Sequence, residues 1–228
     1  MKNRQVDLHI QSENGSFVVR EEKISRIYIV FPLFRENVSV SLKKDFLPTL
    51  SFYDEAANTT VYEKGNIISV YSLNPISKQV TIFMPQNTLH DIDASLENGN
   101  ITLQKVNANS IKLNLLRGNA KIKDSNISSL KVDGITSNME VVNSVGNDYS
   151  LTTKTGNIYI HGSSPISCVL GTMIGDIAVN LKDDEKEKAK IDINAKRVDG
   201  SISLLGENYE KHLYCIAPHG RVLGNIYK

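Results

Sequence analysis

One short phrase recurs through the chain at a fixed interval: Gly, then Asn or Asp, then an apolar residue, any residue, and a second apolar residue. It reads Gly99-Asn100-Ile101-Thr102-Leu103, Gly118-Asn119-Ala120-Lys121-Ile122, a degenerate Ser137-Asn138-Met139-Glu140-Val141, Gly156-Asn157-Ile158-Tyr159-Ile160 and Gly175-Asp176-Ile177-Ala178-Val179. The interval between successive copies is 19 in every case. Two later copies, Gly200-Ser201-Ile202-Ser203-Leu204 and Gly224-Asn225-Ile226, come later than the beat requires, each one period plus a short insertion after its predecessor. A second apolar phrase keeps the same beat half a period away: Ile111/Leu113, Leu130/Val132, Tyr149/Leu151 and Cys168/Leu170, then Ile191/Ile193 and Leu213/Cys215. Ile82/Met84 and Ile92/Ala94 precede Ile101/Leu103 and Ile111/Leu113 by one period, which puts the start of the repeat near residue 80.

The grammar of the repeat selects the fold. Each phrase alternates apolar with polar at period two, the mark of a strand with one buried face. Apolar residues at three- and four-residue steps, which a helical repeat needs, are missing. Short strands and turns filling one such period suit a single coil of a β-solenoid, whose neighbouring coils bond backbone to backbone about 4.8 Å apart. The expected fold is therefore all-β: a single-stranded, β-helix-like solenoid with 19-residue coils, preceded by an irregular, strand-rich N-terminal portion. Residues 1–228 are read as one domain, with 1–79 as irregular strands or a cap and 80–228 as the solenoid. The charged run 182–188 falls where the period lengthens and is read as a solvated loop between coils.

The turn positions Gly99, Asn100, Gly118, Asn119, Asn138, Gly156, Asn157, Gly175, Asp176, Gly200, Gly224 and Asn225 receive a structural role. Glycine reaches positive φ without a Cβ clash, and Asn or Asp tolerates left-handed geometry while bonding nearby backbone. Stacked Asn amides are also expected to form a ladder along the solenoid.

The order of parts resembles a bacterial domain family labelled as adhesins and also called the toast-rack domain. The resemblance lies in irregular strands, then a strand ending in proline (Val80 to Pro85), then repeats of the Gly-Asn-Ile-x-Ile kind, and is tightest over 78–181. It implies a β-solenoid and a link to the bacterial cell envelope, including surface display and envelope-stress signalling. The family has no established catalytic residues, so none is carried over.

Other signals narrow the function by exclusion. A net charge of +1 argues against a dedicated nucleic-acid binder. No apolar run is long enough to span a membrane, and Met1–Ile10 lacks the apolar core of a signal peptide. The default location is then cytoplasmic, against the envelope or surface location that the resemblance implies. Polysaccharide-cleaving solenoids stack carboxylates on an outer face. Here the outward columns read Thr102, Lys121, Glu140, Tyr159, Ala178, Ser203, Tyr227 and Lys112, Lys131, Ser150, Val169, Asp192, Tyr214, and neither lines up two carboxylates.

His9, His90, His161, His212 and His219 show no metal-ligand spacing and are read as surface or turn residues. Cys168 and Cys215 sit at inward positions two coils apart, too far to bridge, and are read as small buried hydrophobes. Lys112, Arg117, Lys121, Lys123 and Lys131 crowd neighbouring coils but belong to different phrases, hence to different faces. No catalytic, cofactor or metal residue is assigned. The chain is expected to be a non-enzymatic, adhesin-like binding or scaffold module for a protein or glycan partner. The alternative is an intracellular self-assembling or signalling module, able to form homo-oligomers through solenoid ends or edges, and a polysaccharide-active enzyme stands third.

Overall fold

The computed structural model describes residues 6–23, 27–31, 36–44, 50–54, 59–64, 67–74, 79–87, 89–181, 189–199 and 211–224. The described elements are all strands, joined in one continuous sheet that winds as a solenoid. In its middle, each coil lies parallel to the next, one period of the repeat away: Ile111 beside Leu130, Leu130 beside Tyr149, and Tyr149 beside Cys168.

Side-chain alternation gives the coil its cross-section. Inward residues are two apart along a flat side, as in Ala120 and Ile122 or Leu130 and Val132. At three places the step becomes three, from Ile122 to Ser125, Ile127 to Leu130 and Gly134 to Ser137, leaving Asp124, Ser128 and Ile135 exposed. An extra residue between two inward positions means the chain has turned a corner, so the coil is three-sided.

Two corners are held by repeated backbone chemistry. At one, Gly118, Gly156 and Gly175 take φ of 137°, 140° and 145°. A Cβ on Gly118 would lie 1.8 Å from the carbonyl oxygen of Gly99 on the coil below, so glycine is required for both its dihedral and its contact. At the other, Lys105, Asp124, Asn143 and Gly162 are left-handed, with φ between 49° and 58°. Next to them runs an internal serine ladder. The amides of Val106, Ser125 and Ser144 donate to the hydroxyls of Ser125, Ser144 and Ser163, at 3.2, 3.2 and 3.1 Å. These buried hydroxyls satisfy amides that the bend takes out of the strand ladder.

The core is a set of apolar columns, one side chain per rung. Ala120 and Met139 are neighbours, small against large, and the methyl end of Met139 fills the space beside Gly134. Tyr149, the largest fully buried side chain among the described residues, has room because Gly146 carries none.

At both ends, the order of coils departs from the order of the chain. Residues 6–22 form a regular coil: Leu8 and Ile10 pair with Ile92 and Ala94, and Phe17 and Val19 pair with Ile101 and Leu103. On its far side Phe17 and Val19 meet Val80 and Ile82. The strand 79–85 is thus separated from 101–104 by the first coil, whereas the repeat read from the sequence stacks Ile82 directly on the Ile101 coil. Beyond it the sheet turns irregular: 36–44 runs antiparallel to both 6–14 and 67–74, and 27–31 runs antiparallel to 79–85.

The C-terminal end repeats this exchange. Strand 211–224 stacks directly on 158–181, with Leu213 beside Cys168 and Cys215 beside Leu170. Strand 189–199 lies outside it, pairing Ile191 with Leu213. The sequence order, Ile191/Ile193 before Leu213/Cys215, is reversed in space, because the final strand takes the edge of 158–181 that the earlier one leaves free.

Candidate functional site

The outer surface of one side of the solenoid carries an open concavity. Its wall is the ladder of turn residues. The amides of Asn119, Asn138, Asn157 and Asp176 donate to Oδ1 of Asn100, Asn119, Asn138 and Asn157, at 2.9, 3.3, 2.9 and 2.8 Å. Asn119 and Asn138 each also donate one Nδ2 hydrogen down the ladder, both at 3.0 Å. Each of these side-chain amides carries a second Nδ2 hydrogen as a further donor. The ladder begins at Ser16, whose hydroxyl accepts from the amide of Asn100, and ends where Arg221 binds Asp176.

Beside this wall stand the outward residues Thr102, Lys121, Glu140 and Tyr159, one per rung. Together they enclose an open groove of about 470 Å³, which crosses four rungs and so runs about 14 Å along the solenoid axis. Lys121 Nζ and Glu140 Oε2 are paired at 2.6 Å across adjacent rungs. Tyr159, 40% exposed, shares its ring with a second hollow of about 210 Å³ lined by His161, Ala178, Asn180 and Leu223. There Asn180 Nδ2 donates to His161 Nδ1 at 3.2 Å. One surface therefore passes from an amide-rich, charge-paired end to an aromatic and apolar end.

Asn100, Asn119, Asn138, Asn157 and Asp176 all stand in the ladder, and Gly99, Gly118, Gly156 and Gly175 line the corner beneath it. The assignment of Gly224 as a turn glycine is corrected. It pairs with Val179 inside a strand, and Gly220-Arg221-Val222 takes the turn, with Val222 beside Ile177. The reason is ionic: Arg221 fills the Asn slot by reaching Asp176 Oδ2 through Nε at 3.2 Å and Nη2 at 2.7 Å. Those bonds hold the Asp176 carboxyl below the usual carboxylate range. Gly200, Asn225, Ser203, Tyr227 and the run 182–188 lie outside the described residues. In the first outward column Leu223 follows Ala178, and in the second Tyr214 follows Val169.

The basic residues separate as their phrases imply. Lys121 lines the groove, whereas Lys112 and Lys131 stack on another side, where Lys131 pairs with Asp133 at 3.2 Å. Cys168 and Cys215 are buried and free, but they sit on adjacent coils rather than two apart, because of the strand exchange. Burial pushes the Cys215 thiol up to about 12 and raises Cys168 well above its ordinary value, the nearby Cys215 adding to the latter. Both stand in the buried, apolar setting of structural cysteines. His90 is the residue whose surroundings sequence reasoning missed: it stands beside Asp7, a partner 83 residues away.

Among the described residues, no helix is long and apolar enough to cross a membrane. Neither the curated proteins nor the solved structures hold a match to the chain. The Toastrack DUF4097 family model matches residues 8–212, the span from the first solenoid coil to the start of the last. Wound all-β coils with a constant step and a family match over most of the length agree: the chain belongs to the Toastrack DUF4097 family.

Proposed function

We propose that the protein is a non-enzymatic, adhesin-like binding or scaffold module that lays an extended polar polymer, a glycan first of all, along the Asn100–Tyr159 groove. The observation that supports this is the continuity of amide ladder, Lys121–Glu140 pair and exposed Tyr159 ring across four rungs. A polymer with regularly spaced hydroxyls meets regularly spaced donors, and a sugar face stacks on an aromatic ring. A rigid sheet that needs no ordering on binding keeps the entropic cost on the ligand side. Glu140, the carboxylate lining the groove, is held by Lys121 and faces no second carboxylate there, an arrangement suited to recognition rather than bond cleavage. The cell envelope and its stress signalling are the setting that the family resemblance implies.

The full chain immobilised against neutral and acidic glycans tests this. Retention of one class that falls at least about tenfold in Tyr159→Ala and Lys121→Ala supports the reading. Absence of retention, or retention indifferent to both changes, overturns it, and turnover of an acidic glycan would replace it with a polysaccharide-active enzyme.

A second reading, a self-assembling module, draws on a different corner. Leu116, Ile135, Met173 and Ile174 are 42%, 42%, 54% and 56% exposed; the first three share one outward column, with exposed Lys154 between Ile135 and Met173, and Ile174 stands beside it. An apolar edge of this kind marks association surfaces. Concentration-dependent sedimentation that Met173→Lys abolishes would favour it, and a monomer at all concentrations would dispose of it.

A further inference from the structure

We infer that Asp7, His90 and Asp91 form a binding site for a divalent transition-metal ion of the zinc type, which fastens the first coil to the next one. The site is made by a register irregularity. Val6 pairs with Leu89 and Leu8 with Ile92, so the single residue Asp7 opposes two, His90 and Asp91. A bulge of this kind re-aims side chains, here bringing those of His90 and Asp91 close to that of Asp7. One ligand atom from each of the three residues lies within 4.8 Å of the other two.

The distances suit a shared cation as well as they suit a long hydrogen bond. His90 Nδ1 stands 3.3 Å from Asp7 Oδ1 and 3.4 Å from Asp91 Oδ2. A charge-assisted N–H···O bond closes to about 2.7–2.9 Å, and neither contact does. A tetrahedral zinc ion with bonds of about 2.0–2.2 Å holds its ligand atoms about 3.3–3.6 Å apart. Both His90 separations match that edge, and the Asp7 and Asp91 oxygens lie within 4.8 Å of each other.

Two further features point the same way. Asp91 Oδ1 has no hydrogen-bond partner while Oδ2 faces His90 Nδ1, so this carboxylate keeps acceptor capacity for an ion. Two carboxylates held this close also repel, which a bound cation relieves. One imidazole and two carboxylates are a donor set of borderline softness, suited to zinc, cobalt or nickel rather than to calcium, which prefers all-oxygen shells. Binding uses the lone pair of Nδ1, so the ring proton resides on Nε2. The side chains of Asp7, His90 and Asp91 are 27%, 36% and 42% exposed, which leaves solvent room for a fourth ligand, a water molecule, and a path of entry. The ion would join segments 83 residues apart in the chain, at the seam where the first coil is inserted.

The test is a titration of the full chain with zinc by calorimetry, paralleled by cobalt followed through its visible absorption. The expected result is one ion per chain, a cobalt spectrum with tetrahedral intensity, and a zinc-dependent rise in melting temperature. His90→Gln and Asp7→Asn should each weaken zinc at least about tenfold and remove the thermal shift, while His161→Gln should leave both unchanged. The circular dichroism of each variant without zinc verifies that it folds. Should either variant fail this check, Asp91→Asn takes its place, with the same loss of zinc affinity and thermal shift expected. No binding up to millimolar zinc, or binding unmoved by His90→Gln and Asp7→Asn, overturns the proposal.

Discussion

The coils from Ile101 to Asn180 and the coils at the two ends use the same side-chain grammar but different chain paths. In the middle, each coil rests on the one before it, and every residue meets its own counterpart one period away. At the ends, a terminal segment is slotted between two rungs: 6–22 between 79–85 and 101–104, and 211–224 between 158–181 and 189–199. A solenoid built only by sequential stacking is quasi-one-dimensional and can fray from its ends. Interleaving changes this, because removing the outer rung requires unpairing a strand whose other edge belongs to a coil encoded elsewhere. The inserted coils therefore tie the ends of the repeat to its middle.

The largest expected effect separates the two regions through the same clash. A Cβ on Gly118 would lie 1.8 Å from the Gly99 oxygen of the coil below, and one on Gly220 would lie 1.7 Å from the Gly175 oxygen. Gly118→Ala, in the middle, should lower global stability by at least about 4 kcal/mol, seen as a drop in the main denaturation midpoint. Gly220→Ala should instead loosen the last coils, raising hydrogen exchange over 189–224 while amides around Ile111 to Val132 stay protected. Equal effects on both regions would erase the distinction.

Phe17 provides the next test, since it is 1% exposed although it belongs to the chain's first strands. Phe17→Ala should cost about 3–4 kcal/mol, a core-sized loss. A loss under about 1 kcal/mol would mean that 6–22 is a dispensable flap. Smaller still is the ladder: Asn138→Ala removes the acceptor for the Asn157 amide and the donor to Asn119, and should cost about 1–2 kcal/mol in chemical denaturation.

The Asp176–Arg221 contact gives the smallest effect, and it depends on pH. Because Arg221 lowers the folded-state Asp176 carboxyl, the contact stabilises fully above the unfolded value near 3.9 and is lost as pH falls through the lowered folded value. Melting curves between about pH 5 and 2 should therefore fall more steeply for wild type than for Asp176→Asn. Parallel curves would remove the ion pair from the account of the C-terminal turn.

The central coils were legible because their register is local: the phrase, its interval and its inward columns all lie along one uninterrupted stretch. The inserted coils left a fainter trace. Gly15-Ser16-Phe17-Val18-Val19 has the form of the turn phrase, and Leu8 stands as far before Phe17 as Ile92 does before Ile101. Leu213 stands at the same distance before Val222. These traces identify a coil, but not its neighbours, because strand pairing depends on which edge is free when the segment returns. Gly220-Arg221 was hidden further by Arg in a slot that elsewhere holds Asn or Asp, a substitution that makes sense only once Asp176 lies beneath it. The groove was legible as a column of residue types, Thr102 to Tyr159, yet the Lys121–Glu140 pairing depends on side-chain conformations that a residue pattern does not specify. Asp7 and His90 could not be brought together from sequence at all, since the bulge that joins them is a property of the insertion.

The central claim is the inserted order of rungs, and backbone contacts across the C-terminal seam test it most directly. In a nuclear Overhauser spectrum of the labelled protein, Val169 should show cross-strand amide and Hα contacts to the Tyr214 backbone and none to Asp192, with Tyr214 in turn contacting Asp192. Contacts from Val169 to Asp192 with none to Tyr214 would mean that the coils follow chain order, and the interleaved solenoid would be wrong.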